Sequence, residues 1–355
     1  MCAMAPRLFL TSVFYRCVGC AYDFLHIFAY AMILDVARHK LFEALITLVA
    51  FALATTVCTI AMPSSIDYSG GVAPLGALIG DFQQSHNILA TIIGFVLVIH
   101  LSMMATRATV RSHLYVSNSF AVMSIMPLML MMLMTPRSAL ATIVVALLTA
   151  EAMRRLFYAF SSQRRKNAVF TAMLALGTLP LVDCSLLVVV ATMPLIVIAL
   201  RCSLRDLIIA VTGMLLPIFI YAYVVWCSGG AFGEAIISLY DAMLAPSTLA
   251  VDSYLTLPRI VSCSLLLLMG IGSVVLYMRR RMSMTLAARH IWRFMLSAVT
   301  LLAVAFALLP STTESSYVVV AMLVCVMSPM LLLQLSTLVA VLIYVTMMGF
   351  AIAAL

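Results

Sequence analysis

From Leu41 to the C-terminus the sequence is a procession of apolar runs, most of them near twenty residues, separated by short polar or basic turns. Such a run crosses the ~30 Å hydrocarbon core of a bilayer as a helix of about 20 residues, because a helix satisfies its own backbone hydrogen bonds where water is missing. The runs predict spans at 41–61, 88–106, 118–135, 138–157, 168–182, 184–200, 206–226, 259–278, 294–309, 316–333 and 335–355. That is an all-α polytopic transmembrane bundle of about eleven spans in a single domain, 41–355, preceded by an N-terminal segment, 1–40. Arg16, Asp23 and His26 interrupt the apolar stretch 8–34, which therefore reads as a cytoplasmic interfacial helix. Composition agrees: 65% of the 355 residues are hydrophobic and 9% charged, against roughly 25% charged in a soluble domain. A disordered chain, a secreted disulfide scaffold and a nucleic-acid-binding domain are excluded.

Lys and Arg gather in cytoplasmic loops of membrane proteins, so their placement tests the threading independently. With the N-terminus inside, 18 of the 20 Lys and Arg fall in cytoplasmic segments, including Arg154, Arg155, Arg164, Arg165 and Lys166 at and after the inner end of the fourth span and Arg279, Arg280, Arg281, Arg289 and Arg293 after the eighth. Only Arg137 and Arg259 fall outside, each at a helix end. Asp67, Asp81, Asp183, Glu234, Asp241, Asp252 and Glu314 all lie on the external side. The expected location is the bacterial cytoplasmic (inner) membrane.

Two external loops are long enough to hold structure. The first, 62–87, contains a Gly-rich apolar segment able to dip into the membrane. In the second, 227–258, Phe232, Ile236, Tyr240, Met243 and Leu244 recur at helical spacing, predicting an amphipathic helix over 232–244 on the outer surface. Inside the spans, ionisable groups are few: Glu43, His100 and Glu151. Glu151 stands four residues before Arg155, the spacing of a local ion pair, and this scarcity disfavours a proton- or sodium-coupled transporter. The methionines between Met123 and Met134 cover every face of their helix and read as lipid-facing filler. Cys17 and Cys20 form a lone CxxC without a second ligand pair, so no metal or other cofactor is expected. No P-loop, HExxH, GxSxG or EF-hand pattern occurs.

From about residue 103 to 226, a third of the chain, the order of features resembles an uncharacterised domain-of-unknown-function family of bacterial multi-pass inner-membrane proteins. The residues that carry it are TPRSALATIVVALL, AMRRLF, the basic turn SSQRRKN, Asn167 and Gly177, and RCSLRDLIIAVTGMLLPIFIYAYVVW with Arg205, Gly213, Pro217 and Tyr221. Where the family shows aromatic and Pro residues this chain has LPLVDCS, keeping only Pro180. The short helix pair with a tight external turn also resembles part of the membrane glycosyltransferases that use polyprenyl-phosphate-linked sugars. That resemblance implies an acid in the first external loop, Asp67 or Asp81, as base or metal ligand. Such a site would need a cation for the lipid phosphate, and Arg137 and Arg259 are the external ones.

Three functions follow in order of expectation. The first is a non-enzymatic envelope scaffold or assembly component, with membrane lipids and envelope proteins as partners. The second is a polyprenyl-phosphate-sugar transferase, whose partner is that lipid. The third is a lipid or solute transporter.

Overall fold

The computed structural model describes residues 41–60, 73–115, 119–135, 138–161, 165–200, 204–244, 256–308 and 312–353. The N-terminal segment with Cys17 and Cys20, most of the first external loop with Asp67, and Arg137 lie outside the described residues. Within them the fold is all-helical, with no strand. The helices are α1 (Leu41–Ile60), α2 (Pro74–Ser85), α3 (Asn87–Arg111), α4 (Ala121–Leu133), α5 (Ala139–Ser161), α6 (Arg165–Val182), α7 (Val189–Leu200), α8 (Leu204–Cys227), α9 (Phe232–Leu244), α10 (Leu257–Arg280), α11 (Leu286–Leu308), α12 (Glu314–Met327), α13 (Pro329–Leu332) and α14 (Thr337–Ala353). Short 3₁₀ segments, Cys184–Val188 and Arg281–Ser283, lead into α7 and follow α10.

Among the described residues, five segments are long and apolar enough to cross a membrane: Asn87–Arg111, Leu204–Cys227, Leu257–Ser283, Leu286–Leu308 and Glu314–Leu332. Ala121–Leu133, Lys166–Val182 and Leu338–Ala351 are apolar but shorter. The outward faces of the long helices carry Ile92, Val96, Ile208, Leu268, Ile271 and Val304, all exposed. A continuous apolar exterior of this kind needs lipid rather than water around it, and the chain is a membrane protein.

The bundle is built around α4. All thirteen of its residues are buried, with α1, α3, α10, α12 and α14 packed about it. This corrects the lipid-facing reading of the methionines: Met126, Met129 and Met132 are fully enclosed. A helix apolar on every side is one that protein surrounds, and the unbranched thioether side chain fills the irregular gaps left by so many neighbours. Polar contacts register the surrounding helices. The Thr55 hydroxyl donates to the Pro127 carbonyl at 3.2 Å, an oxygen within the proline-containing turn of α4. Tyr344 of α14 donates to the Ala121 carbonyl at 3.2 Å and lies 3.0 Å from the Ser124 hydroxyl.

A second contact, between α6 and α8, depends on small residues. A Cβ on Gly177 would stand 2.1 Å from the Met214 carbonyl oxygen, and one on Gly213 would stand 2.8 Å from that of Phe170. The two backbones therefore touch, as small residues permit when helices associate without a hydrophobic driving force between them.

The described helices lie over the apolar runs, α3 running past the expected 106 to Arg111, and two further differences stand out. The span expected at 294–309 begins eight residues earlier, at Leu286: Arg289 and Arg293 mark the end of the apolar run but do not interrupt the helix. The first external loop contains a regular helix, α2, entered through Pro74 at its first turn, a position where the missing N–H costs nothing. The amphipathic helix expected at 232–244 is α9, with the same limits. It docks through Ala235 and Leu239, while Ile236 and Tyr240 are exposed and the Phe232 ring stacks on Phe219 of α8 at 6.2 Å.

Candidate functional site

The end of α4 at Met134 and Thr135, the turn at 183–188 and the start of α12 at 312–314 meet at one end of the bundle and bring together two carboxylates in a shell of hydroxyls. Asp183 ends the α6 segment and caps the following 3₁₀ turn. Its Oδ1 accepts from the Ser185 backbone N–H at 3.0 Å and from the Ser185 hydroxyl at 2.8 Å. Its Oδ2 accepts from the Thr313 hydroxyl at 2.6 Å. Ser185 Oγ in turn lies 2.9 Å from both Thr313 Oγ1 and Ser316 Oγ. The turn after α6 is thereby fastened to the start of α12.

Glu314, the next residue, is fully buried. Its Oε2 accepts from the Thr135 backbone N–H at 2.9 Å and its Oε1 from the Thr142 hydroxyl at 2.8 Å. The carboxylate thus clamps the α4–α5 turn to the first turn of α12, where the unpaired N–H groups of a helix start favour negative charge. The Arg259 guanidinium, in the first turn of α10, is within electrostatic reach. A neighbouring tie completes this end: Gln83 of α2 accepts from the Leu140 backbone N–H at 3.0 Å.

The sequence-derived candidates are distributed differently. Asp81 lies on α2, exposed, and α2 packs against α3, α5 and α6. Arg259 is partly buried on α10, whose neighbours are α12, α13, α14 and α4. Arg259 is thus within electrostatic reach of Glu314, on a helix that is not among those packed against α2, and Asp67 and Arg137 lie outside the described residues. Sequence reasoning placed Glu314 among the external acids and missed its burial. The available signal was the hydroxyl-rich run Ser311 to Ser316 between two apolar spans, which supplies partners an isolated acid would lack.

At the opposite end, Glu151 accepts from Arg154 Nε at 2.7 Å and Nη2 at 2.6 Å, and from Arg155 Nε at 2.6 Å. The expected i,i+4 pair is present with a second arginine added. The Tyr115 hydroxyl donates to the Val326 carbonyl, fixing the end of α3 to α12. Among the described residues no three His, Cys, Asp or Glu side chains lie together as a metal site. Set against models of protein families, curated proteins and solved structures, the chain matches none.

Proposed function

We propose that this is a multi-pass protein of the bacterial inner membrane, with about eleven spans and a cytoplasmic N-terminus, that acts as a non-enzymatic scaffold or assembly component of the envelope. The observation that supports this reading best is what the two clustered acids do. A general base must reach the proton it removes. Glu314 is fully buried, and both its oxygens and both those of Asp183 accept hydrogen bonds that join one helix end to another. Arginine placement supports the orientation: Arg279 and Arg280 are exposed at the end of α10 remote from Glu314, and cytoplasmic loops collect such residues.

The alternative reading, transfer from a polyprenyl-phosphate-linked sugar, is favoured by one observation: Asp81 is an exposed carboxylate two residues from the Gln83 tie, at the end where the acids gather. Reconstitution with a polyprenyl-phosphate sugar separates the two readings. The scaffold reading expects no release of polyprenyl phosphate, together with an envelope protein recovered in fixed ratio after crosslinking in cells. Turnover that disappears in Asp67→Asn with Asp81→Asn would replace it with the transferase reading.

A further inference from the structure

α10 and α11 form a hairpin joined by residues 281–285. Near the joint the rings of Tyr277 and Trp292 stack, centroids 5.1 Å apart and planes within 9°. Beyond this stack the two helices part, and α12 floors the gap. The result is a groove of about 670 Å³, within the ~300–1,000 Å³ range of ligand pockets. Its walls include Leu266 and Gly270 of α10 and Val299 and Ala303 of α11, and its floor includes Val320 and Val324 of α12. The lining is almost wholly apolar. Thr300 directs its hydroxyl to the carbonyls of Leu296 and Ser297, both at 3.0 Å, and so asks nothing of an occupant.

All three helices are among those long and apolar enough to cross a membrane, so the groove opens sideways into hydrocarbon. From Cys263 to Val275 along α10 it extends for about 18 Å at ~1.5 Å per residue. That is a little over half of a ~30 Å hydrocarbon core, the reach of a single lipid chain.

The closed end carries a second, independent observation. Tyr277 Oη, Trp292 Nε1 and Arg289 Nε are buried without a hydrogen-bond partner among the described residues. Tyr277 follows Val275 by two residues, Trp292 lies one turn before Leu296 and Arg289 one turn before Trp292, so the three donors stand just beyond the last residues that line this end of the groove. Each is a donor lacking an acceptor, and burying such a group unpaired costs about 1–3 kcal/mol. Arg279, Arg280 and Arg293 stand exposed around them, and no acid occurs between residues 279 and 293. This end of the groove calls for a group that is anionic and rich in acceptors.

We infer that the groove binds one hydrocarbon chain of an anionic phospholipid, with the phosphate at the basic end beside Arg289, Trp292 and Tyr277 and the chain tip between Ala303 and Val320. The site is independent of whether the protein is a scaffold or a transferase. Arginine suits the phosphate because its fork donates more than one hydrogen bond to it.

The test uses the full chain in phosphatidylcholine nanodiscs doped with phosphatidylglycerol that carries a photoreactive diazirine. A diazirine at the chain tip is expected to label peptides around Ala303 and Val320, and one near the ester to label those around Leu296. Ala303→Phe, which fills the groove from an exposed position, lowers tip labelling roughly three- to tenfold, whereas Leu308→Phe, off the groove on the same helix, leaves it unchanged. Arg289→Gln reduces the preference for phosphatidylglycerol over phosphatidylcholine roughly three- to tenfold, the loss of about one charge-assisted hydrogen bond in a membrane. Arg205→Gln, an exposed arginine on α8, does not. An unchanged melting transition in detergent accompanies each comparison, and Arg289→Lys serves in place of a glutamine variant that fails to fold. Labelling no denser in the groove than around Phe219 on α8 would mean annular lipid only and end the proposal. So would a reversed tip and ester pattern, or zero-length crosslinks showing residues 8–34 or a second copy in the groove.

Discussion

Removing the Glu314 carboxylate separates a clamp from a chemical group. In Glu314→Ala the Thr135 N–H and the Thr142 hydroxyl lose their acceptor inside the bundle. An unsatisfied buried polar group costs about 1–3 kcal/mol, while side-chain hydrogen bonds measured within membranes average about 0.6 kcal/mol. The two bonds together therefore set an expected loss of about 2–4 kcal/mol. Glu314→Gln is different. Its amide oxygen takes over the Thr135 N–H, its amide nitrogen faces Thr142 Oγ1, and a hydroxyl accepts as readily as it donates. The loss should be about 1 kcal/mol or less. Glu314→Asp shortens the reach and should fall between them. Thermal melts or graded SDS unfolding of purified protein measure the series, and the double variant Glu314→Gln with Thr142→Val isolates the coupling. If alanine and glutamine are equally damaging, the negative charge matters and the clamp account is wrong. The account also fails if alanine is harmless, since the carboxylate would then tie nothing.

Gly177→Ala should destabilise by well over 1 kcal/mol or abolish folded protein, because its Cβ would lie 2.1 Å from the Met214 carbonyl, whereas Gly80→Ala meets nothing within 4 Å and should be neutral or stabilising in the same melts. In a cysteine-free background, Ser283→Cys should resist an impermeant maleimide in intact cells while Ser228→Cys, exposed after α8, reacts; the opposite pattern inverts the proposed orientation. Glu151→Gln should change the midpoint little, by about 0.5 kcal/mol at most, because its arginine partners are 34% and 42% exposed and solvent screens the pair.

What the sequence discloses and what it hides divide along one physical line. Apolar runs, arginines and turn residues act locally, so the helices and the amphipathic α9 could be read directly. Burial between helices is not local. Glu314 looked like a loop acid because its partners, Thr135 and Thr142, are far away in the chain. The methionine-rich α4 looked like a lipid-facing span because lipid and protein interior are equally apolar, and only the neighbours tell them apart. The same equivalence supplies a test. Truncating a lipid-facing side chain leaves no cavity, since lipid flows into the space, but truncation inside protein leaves a void that costs about 2–5 kcal/mol for Met to Ala. Met129 is fully enclosed, so Met129→Ala should lose stability in that range while Met129→Leu, nearly equal in volume, loses under about 1.5 kcal/mol. Ile208, 66% exposed on α8, should tolerate alanine with almost no change. Equal tolerance at both positions would show that lipid, not protein, surrounds α4.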